Sequence, residues 1–271
     1  MKIALIITGQ LRTYKLCGNI LKNTIIDKYD TDVFLSIDKC NTLQNDDLNY
    51  TNNSSDNDIQ EVISFFSPKD VFINYDYDVI FENLKVNKTI RENRLILQQY
   101  YVVQQGYKLL INYSKTNNIN YDVIIRVRFD QFIWSESSKI LSKFIIRNSR
   151  GSKVIKYTPE NISEINIISK NLILDINKPN SNEIYIFGYG NVQSKHNWIN
   201  DQFWLHSMDL IHTIHSFYNN IPSIIDEILS QGFNSKNCPY FELIFGIFLQ
   251  NNNINIKKSK IIGEFCREIF V

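Results

Sequence analysis

The chain has 271 residues, of which 44% are hydrophobic and 13% aromatic, and its formal net charge is +1. A chain of this length buries a full core as one large domain or as two small ones. The nearly neutral charge excludes a general electrostatic attraction to nucleic acid or to an anionic membrane.

No targeting or membrane-spanning segment is recognisable in the sequence. The apolar N-terminal run ends at Gly9, which makes it too short for a secretory leader. No later run approaches the roughly 20 apolar residues that span a bilayer. The cysteines form no C-x-x-C pair and are expected to be reduced core residues. A cytoplasmic protein is therefore expected.

The first seventy residues predict a parallel β-α-β arrangement. Apolar runs indicate strands at 2–8, 32–37 and 70–74, and helical patterns lie between them at 14–26 and 59–66. Strands joined through helices by short connections form a parallel sheet.

The rest of the chain mixes strands and helices and is predicted to complete one continuous domain. A long helix at 90–114 leads to a strand at 121–130, whereas segment 147–182 gives no clear pattern. The later elements predicted are a strand at 183–187, helices at 208–217, 223–229 and 240–249, and a strand at 254–256.

The sequence YDVIIRVRFD, residues 121–130, places charges on a core strand. Strand alternation puts apolar side chains on one face, namely Val123, Ile125, Val127 and Phe129. The charged side chains share the other face with Ile124, namely Arg126, Arg128 and Asp130. Either the charges form a structural ion pair, or the strand opens into a ligand crevice where Asp130 faces phosphate or a metal ion.

The turn after the first strand, TGQLRT, is a candidate phosphate or base contact. It has neither the glycine spacing of a dinucleotide site nor the GK[ST] ending of a P-loop. Its backbone amides and side chains suit a nucleotide, and the residues concerned are Thr8, Gly9, Gln10 and Arg12. The alternative is a simple turn with a surface arginine.

Three further polar residues are candidates for the nucleotide site. Asp38 follows the second strand at the same predicted sheet edge, where its carboxylate can accept hydrogen bonds from a ribose or a base. It can equally cap a turn. Arg94 and Gln98 lie on the first turns of the long helix and are the other two candidates.

Two carboxylates are candidates for the catalytic base. Asp201 precedes an aromatic segment, and Trp198 and Trp204 there are possible platforms for a sugar, whereas Phe203 is expected in the core. Glu242 is the ionisable group of an otherwise apolar helix, where burial would raise its pKa toward that of a base. The alternative for Glu242 is an interaction with the helix dipole.

A metal ion is expected to help a diphosphate leaving group. Hard divalent cations prefer carboxylate oxygens, so Asp130 with phosphate oxygens and water would hold Mn²⁺ or Mg²⁺. His206, which follows the aromatic segment, is a second candidate contact to metal or phosphate. The histidines show no H-E-x-x-H zinc pattern.

Four segments in this order resemble GT-A-type glycosyltransferases, particularly bacterial and giant-virus members: ALIITGQLRTY, YDVIIRVRFD, NDQFWLHS and PYFELIFGIFLQ. The resemblance implies a nucleotide-diphosphate sugar donor whose sugar passes to an acceptor hydroxyl. It places Asp130 at the metal-binding aspartate of the D-x-D motif, and Thr8, Gln10, Arg12 and Asp38 along the nucleotide. Asp201 or Glu242 would be the base or an acceptor contact. Arg128 makes the motif R-x-D, so that arginine itself can neutralise phosphate charge.

The predicted fold is α/β and GT-A-like, with a mostly parallel central sheet flanked by helices. The resemblance divides the single domain into a Rossmann-like nucleotide-sugar half, residues 1–130, and an acceptor-side half, residues 131–271. The missing second carboxylate favours an alternative, a non-catalytic module that binds a nucleotide or a glycan. A nucleotidyltransferase is a third hypothesis, although it normally needs a glycine-rich basic loop after the first strand.

Overall fold

The structure is a computed structural model. It describes residues 1–11, 13–39, 54–75, 94–135, 141, 143–147, 153–156, 158–187, 202–230, 241–265 and 269–270. Within these ranges the backbone of Arg94 and Glu242 is described, but their side chains are not.

The described residues form twelve strands. They are β1 (Lys2–Gly9), β2 (Asp30–Asp38), β3 (Asp70–Asn74), β4 (Val123–Arg128), β5 (Gln131–Ser135), β6 (Ile145–Arg147), β7 (Lys153–Lys156), β8 (Glu183–Ile186), β9 (Trp204–His206), β10 (Asn255–Lys258), β11 (Ile261–Phe265) and β12 (Ile269–Phe270).

The same part of the chain forms six α-helices. They are α1 (Tyr14–Leu21), α2 (Asp56–Phe66), α3 (Arg94–Asn117), α4 (Pro159–Asn171), α5 (Ile211–Ser230) and α6 (Phe241–Asn251). A π-helical turn, Lys22–Ile26, continues α1, and a 3₁₀ turn, Met208–Leu210, precedes α5.

Seven strands form the central sheet in the order β10-β8-β9-β4-β1-β2-β3. Strand β9 is antiparallel to both of its neighbours, and the other neighbouring pairs are parallel. The predicted α/β class with a mostly parallel central sheet flanked by helices is therefore confirmed. Strands from both halves of the chain build this one sheet.

Alternating side chains of the central strands enter two separate hydrophobic clusters. On β1, Ile3 and Leu5 pack with residues of α1 and α2, whereas Ala4 and Ile6 pack with residues of α3. Strand β4 alternates as predicted, because Val123, Ile125, Val127 and Phe129 all enter the α1 and α2 cluster, and Ile124 enters the other. Helices thus cover both faces of the sheet.

Helix α3 lies unusually close to β1 and β2. A β-carbon added at Gly106 would lie 2.6 Å from the Ile6 side chain, so this approach requires glycine. The Ser36 hydroxyl donates a hydrogen bond to the Val102 carbonyl at 2.6 Å, which joins β2 to the helix. These contacts hold the middle of α3 against β1 and β2.

Two small sheets accompany the central one. Strand β5 pairs with β11 in antiparallel fashion, and β6, β7 and β12 form a three-stranded sheet. Strands β5, β6, β7, β9, β11 and β12 were not predicted, and helix α4 occupies part of the segment that gave no clear pattern. The pairs β5–β11 and β7–β12 join residues more than a hundred positions apart, so the pairing leaves no local signal, whereas β6 pairs locally with β7.

The two helices predicted at 208–217 and 223–229 are one helix, α5, and this prediction was wrong. Pro222 lies inside this helix although it has no N–H to donate. The buried stripe continues across it, with Phe217 and Ile221 before it and Ile225 after it. Packing of this stripe outweighs the local cost of the proline. No helix in the described part of the chain is long and apolar enough to cross a membrane.

Candidate functional site

The candidate site lies where β1, β2 and β4 end. These strands are parallel, so their carboxyl ends meet at one edge of the sheet. From β1 the chain proceeds to β2 and β3 on one side, whereas β4 joins β1 on the other side. Open α/β sheets bind ligands at such a switch point, in the crevice outside the carboxyl ends.

Arg128 and Asp130 form an ion pair at the end of β4. The guanidinium donates two hydrogen bonds to the carboxylate, from Nε to Oδ1 at 2.8 Å and from Nη2 to Oδ2 at 3.0 Å. A third bond runs from Arg128 Nη1 to the Gln99 amide oxygen on α3 at 3.2 Å. The Asp130 side chain is 1% exposed and that of Arg128 12% exposed. Of the two alternatives for the charged face of this strand, the structural ion pair is therefore present.

A second polar cluster lies at the end of β2. The Gln98 amide donates a hydrogen bond to Asp38 Oδ2, and Asn74 Nδ2 approaches Asp38 Oδ1 at 3.4 Å. All three side chains are buried. Since Gln98 and Gln99 are adjacent on α3, that helix connects the cluster at β2 with the ion pair at β4.

The turn after β1 lies between these two clusters. Gly9 has φ of +108°, a conformation that favours glycine. The Thr8 hydroxyl is buried and accepts a hydrogen bond from Arg126 Nε at 3.1 Å. Gln10 is half-buried. Arg12 lies outside the described residues.

Arg126 lies beneath the site, where its side chain is 1% exposed. Its guanidinium carbon is 4.5 Å from the ring centre of Trp204, a cation–π contact that supports a desolvated charge. Trp204 is itself fully buried, so it is no platform for a sugar in this conformation. The expectation that Phe203 is a core residue is confirmed.

His206 belongs to a buried hydrogen-bond network on the α3 side of the sheet. Its Nδ1 lies 2.7 Å from the Ser207 carbonyl, which can only accept, so Nδ1 carries the proton. Nε2 therefore accepts from the Tyr107 hydroxyl at 2.7 Å, and that oxygen accepts from Trp204 Nε1 at 2.7 Å. Burial lowers the pKa of His206 to about 4. The His206 ring is thus neutral, and each of its nitrogens takes part in a hydrogen bond.

The structure separates the two residues predicted as metal contacts. His206 pairs with Ile124, near the start of β4, whereas Asp130 follows its end. Ile124 and Arg128 are four residues apart, or roughly 13 Å of strand. In this conformation the His206 ring also has no lone pair left for a metal ion.

The described residues do not by themselves fit a metal centre. Among them, no three His, Cys, Asp or Glu side chains are grouped closely enough to hold an ion. Both oxygens of Asp130 accept hydrogen bonds from Arg128, so the guanidinium balances the carboxylate without a metal ion. Mn²⁺ or Mg²⁺ at this site stays a prediction.

Gln131 is a buried polar residue that is not among the predicted site residues. It follows Asp130 directly and is fully buried, and neither its amide nitrogen nor its amide oxygen has a hydrogen-bond partner among the described residues. A β-carbon at Gly263 would lie 2.8 Å from its Nε2 and 2.2 Å from the Phe187 ring. The only local signal was a lone amide in an aromatic run, RFDQFIW.

The other predicted site residues are only partly located. Asp201 lies outside the described residues. Glu242 is in the first turn of α6, and Arg94 begins α3, but neither side chain is described. The structure brings together Thr8, Gly9, Gln10, Asp38, Gln98, Arg128 and Asp130 at one sheet edge.

Fold and site define an α/β protein with charged, hydrogen-bonded side chains clustered at the carboxyl edge of a parallel sheet. The family model described as "Domain of unknown function (DUF7796)" matches residues 1–151, which is more than half of the chain. The chain belongs to that family. The matched region contains β1–β4 and therefore the whole crevice.

Two solved structures are similar to the chain at low sequence identity. The UDP-bound glycosyltransferase domain from the YGT toxin is 12% identical with a TM-score of 0.39, over 97% of this chain and 80% of that one. The PaToxG glycosyltransferase is 10% identical with a TM-score of 0.33, over 93% of this chain and 68% of that one. At such low sequence identities and TM-scores, these similarities do not support a conclusion about function. No curated protein matches the chain in sequence.

Proposed function

We propose that this protein is a glycosyltransferase of the GT-A type that binds a nucleotide-diphosphate sugar in the crevice between β1 and β4. The observation that carries the proposal is the Arg128–Asp130 ion pair at the switch point of the sheet. The order of the four sequence segments that resemble glycosyltransferases supports it. Residues 1–130 would bind the donor, and residues 131–271 would face the acceptor.

The nucleotide would lie across the ends of β1 and β2. Asp38 is held between Gln98 and Asn74, so its carboxylate is fixed for hydrogen bonds from a ribose or base. The Gly9 turn exposes backbone at the point where a phosphate would pass. A preorganised cluster of this kind adds specificity because little side-chain freedom is lost on binding.

Arg128 would neutralise the diphosphate. In the proposed reaction the acceptor oxygen attacks the anomeric carbon, and the bond from that carbon to the diphosphate oxygen breaks. Negative charge then grows on the diphosphate, and a preorganised guanidinium at that place stabilises it. Asp130 and Gln99 hold Arg128 in position. A divalent cation, when bound, would add a further positive charge there.

The acceptor hydroxyl must lose its proton during transfer. A carboxylate within hydrogen-bond reach is the usual base for such a step. Asp201 and Glu242 stay the two predicted candidates. The acceptor itself is proposed only as a hydroxyl group, on a glycan or another molecule.

The proposal is tested with a panel of nucleotide sugars, each incubated with the full chain with and without Mn²⁺. Slow release of the free nucleotide from one donor, and its loss in Asp130→Ala, is the expected result. The absence of release and of binding across the whole panel would contradict the proposal. Exposed Asp70, at the amino end of β3, provides the control variant Asp70→Ala.

A non-catalytic binding module is the second candidate. It is favoured by the single described carboxylate at β4, whose oxygens are both engaged by Arg128. Such a module would show a ligand-dependent rise in Tm yet release no nucleotide when acceptors are added. The same donor panel therefore distinguishes the two candidates.

A further inference from the structure

A groove between α3 and α5 lies apart from the crevice described above. It has a volume of about 540 Å³, and it is lined by polar and aromatic side chains of the two helices together with Ile111. Lys108 lies ten residues beyond Gln98 on α3, which is about 15 Å along the helix axis. The groove and the crevice therefore have no residue in common, although α3 contributes to both.

Basic side chains gather in this groove. Lys108 comes from α3, and His212 and His215 come from neighbouring turns of α5. All three side chains line the same groove. Burial lowers the pKa of His215, and the nearby His212 and Lys108 lower it further. The groove thus concentrates groups that bind anions.

No described carboxylate lines the groove. Asp209, one turn before His212, is the acid nearest to it in sequence, and its carboxylate accepts a hydrogen bond from the Ser207 hydroxyl at 3.3 Å. The remaining titratable groups in the walls are Tyr101 and Tyr218, and burial raises the pKa of both, so they stay neutral at ordinary pH. Lys108, and each imidazole when it is protonated, therefore has no carboxylate beside it among the described residues of the walls.

The wall of the groove is held in place by an amide. Gln104 Nε2 lies 3.2 Å from Asn219 Oδ1 and 3.4 Å from the His215 carbonyl, so it joins α3 to α5. Lys108, Asn219 and His212 are exposed at the surface. A ligand can reach the cationic side chains without any rearrangement of the helices.

We propose that this groove binds an oxyanion, the phosphate group of a phosphorylated sugar or free phosphate, between Lys108, His212 and His215. Charge-assisted hydrogen bonds from lysine and protonated histidine are the contacts that recognise such a group. A bound anion favours the charged form of His215 and so raises its pKa. By linkage, protonation of His215 strengthens the binding of a given ionisation state of the anion.

The test uses glucose 6-phosphate, inorganic phosphate and neutral glucose as probes, with the His215 ring signals followed by NMR across pH. We expect both phosphates to raise the pKa of His215 and glucose to leave it unchanged. The double variant Lys108→Ala/His212→Ala should bind glucose 6-phosphate about 10-fold or more weakly. Tighter binding of glucose 6-phosphate than of phosphate would identify a sugar phosphate as the ligand.

The matched control is Lys115→Ala, which removes an exposed charge from the last turn of α3 outside the groove. It should retain the affinity of the unmodified chain within about twofold. An unchanged pKa of His215 at saturating phosphate, or equal weakening by the control, would overturn the proposal. Since none of the probes is a nucleotide, this outcome is independent of the donor-panel result.

Discussion

The Arg128 guanidinium and the Asp130 carboxylate meet in a two-bond, side-on pair at 2.8 Å and 3.0 Å, across the turn that ends β4. Arginine matches a carboxylate in this geometry better than lysine does. The same planar group matches a phosphate. A diphosphate that enters the crevice would therefore meet a guanidinium already held at a fixed angle.

Removal of one partner of the ion pair should be strongly destabilising because both partners are largely buried. Asp130→Asn leaves the arginine charge without its carboxylate, and we expect the free energy of unfolding to fall by about 3 kcal/mol. Urea denaturation followed by circular dichroism measures it. Glu164→Gln, which breaks the exposed Lys143–Glu164 pair, is the control and should cost less than about 1 kcal/mol. Equal losses in the two variants would show that Asp130 is not a buried partner.

Asp38 should govern nucleotide affinity. Asp38→Asn keeps the shape of the side chain but removes its charge, and we expect the Kd for the preferred nucleoside diphosphate to rise about 10-fold. Asp70→Asn, on the exposed amino end of β3, should leave the Kd unchanged. Calorimetric titration of both variants gives the comparison, and an unaltered Kd in Asp38→Asn would remove this residue from the site.

The lowered pKa of His206 should reduce the free energy of unfolding in acid. Its pKa in the folded chain is about 4, below the ordinary value of 6.5, so protons bind the unfolded state first as the pH falls. The stability that neutral His206 contributes to the free energy of unfolding is complete above about pH 6.5 and is lost progressively toward pH 4. Between pH 7 and pH 5 it should cost about 2 kcal/mol of unfolding free energy.

The control for this effect is His206→Gln, which removes the titrating ring but keeps a hydrogen-bonding side chain. Unfolding free energies of both chains are measured in urea at pH 7 and pH 5. The unmodified chain should lose about 2 kcal/mol more than the variant over this interval. An identical pH dependence of the two chains would mean that His206 titrates normally.

The same substitution at two buried glutamines should act in opposite directions. Gln131→Met removes two amide atoms without described partners, and we expect a gain of about 1 kcal/mol in unfolding free energy. Gln98→Met removes the donor to Asp38, and we expect a loss of about 1–3 kcal/mol. Thermal denaturation ranks the two variants, and a large loss in Gln131→Met would reveal a hidden partner for its amide.

Much of the fold was predictable because its signals are local. The alternation of Val123 and Ile125 with Ile124 follows from strand geometry alone, and the structure confirms it. The helix across Pro222 was not predictable, since it depends on packing of its buried stripe rather than on backbone preference. The pairing of β5 with β11 joins residues far apart in sequence.

The site was predictable in part. Glycine at the first turn and acids at strand ends follow from the rule that ligands lie at the carboxyl edge. Which of those acids pairs with a neighbouring side chain depends on three-dimensional contacts. From the sequence, the Arg128–Asp130 ion pair was therefore only one alternative, beside an Asp130 that faces a ligand. The engagement of both His206 nitrogens depends on Tyr107, which lies ninety-nine residues away.

The most direct test of the account measures whether the crevice binds a nucleoside diphosphate through Arg128. Calorimetric titration of the full chain with UDP, GDP and ADP is compared between the unmodified chain, Arg128→Lys and Lys115→Ala. We expect one nucleotide to bind, with affinity about 10-fold or more weaker in Arg128→Lys and unchanged in Lys115→Ala. Binding of equal strength in all three chains, or none of any nucleotide to the unmodified chain, would contradict the account.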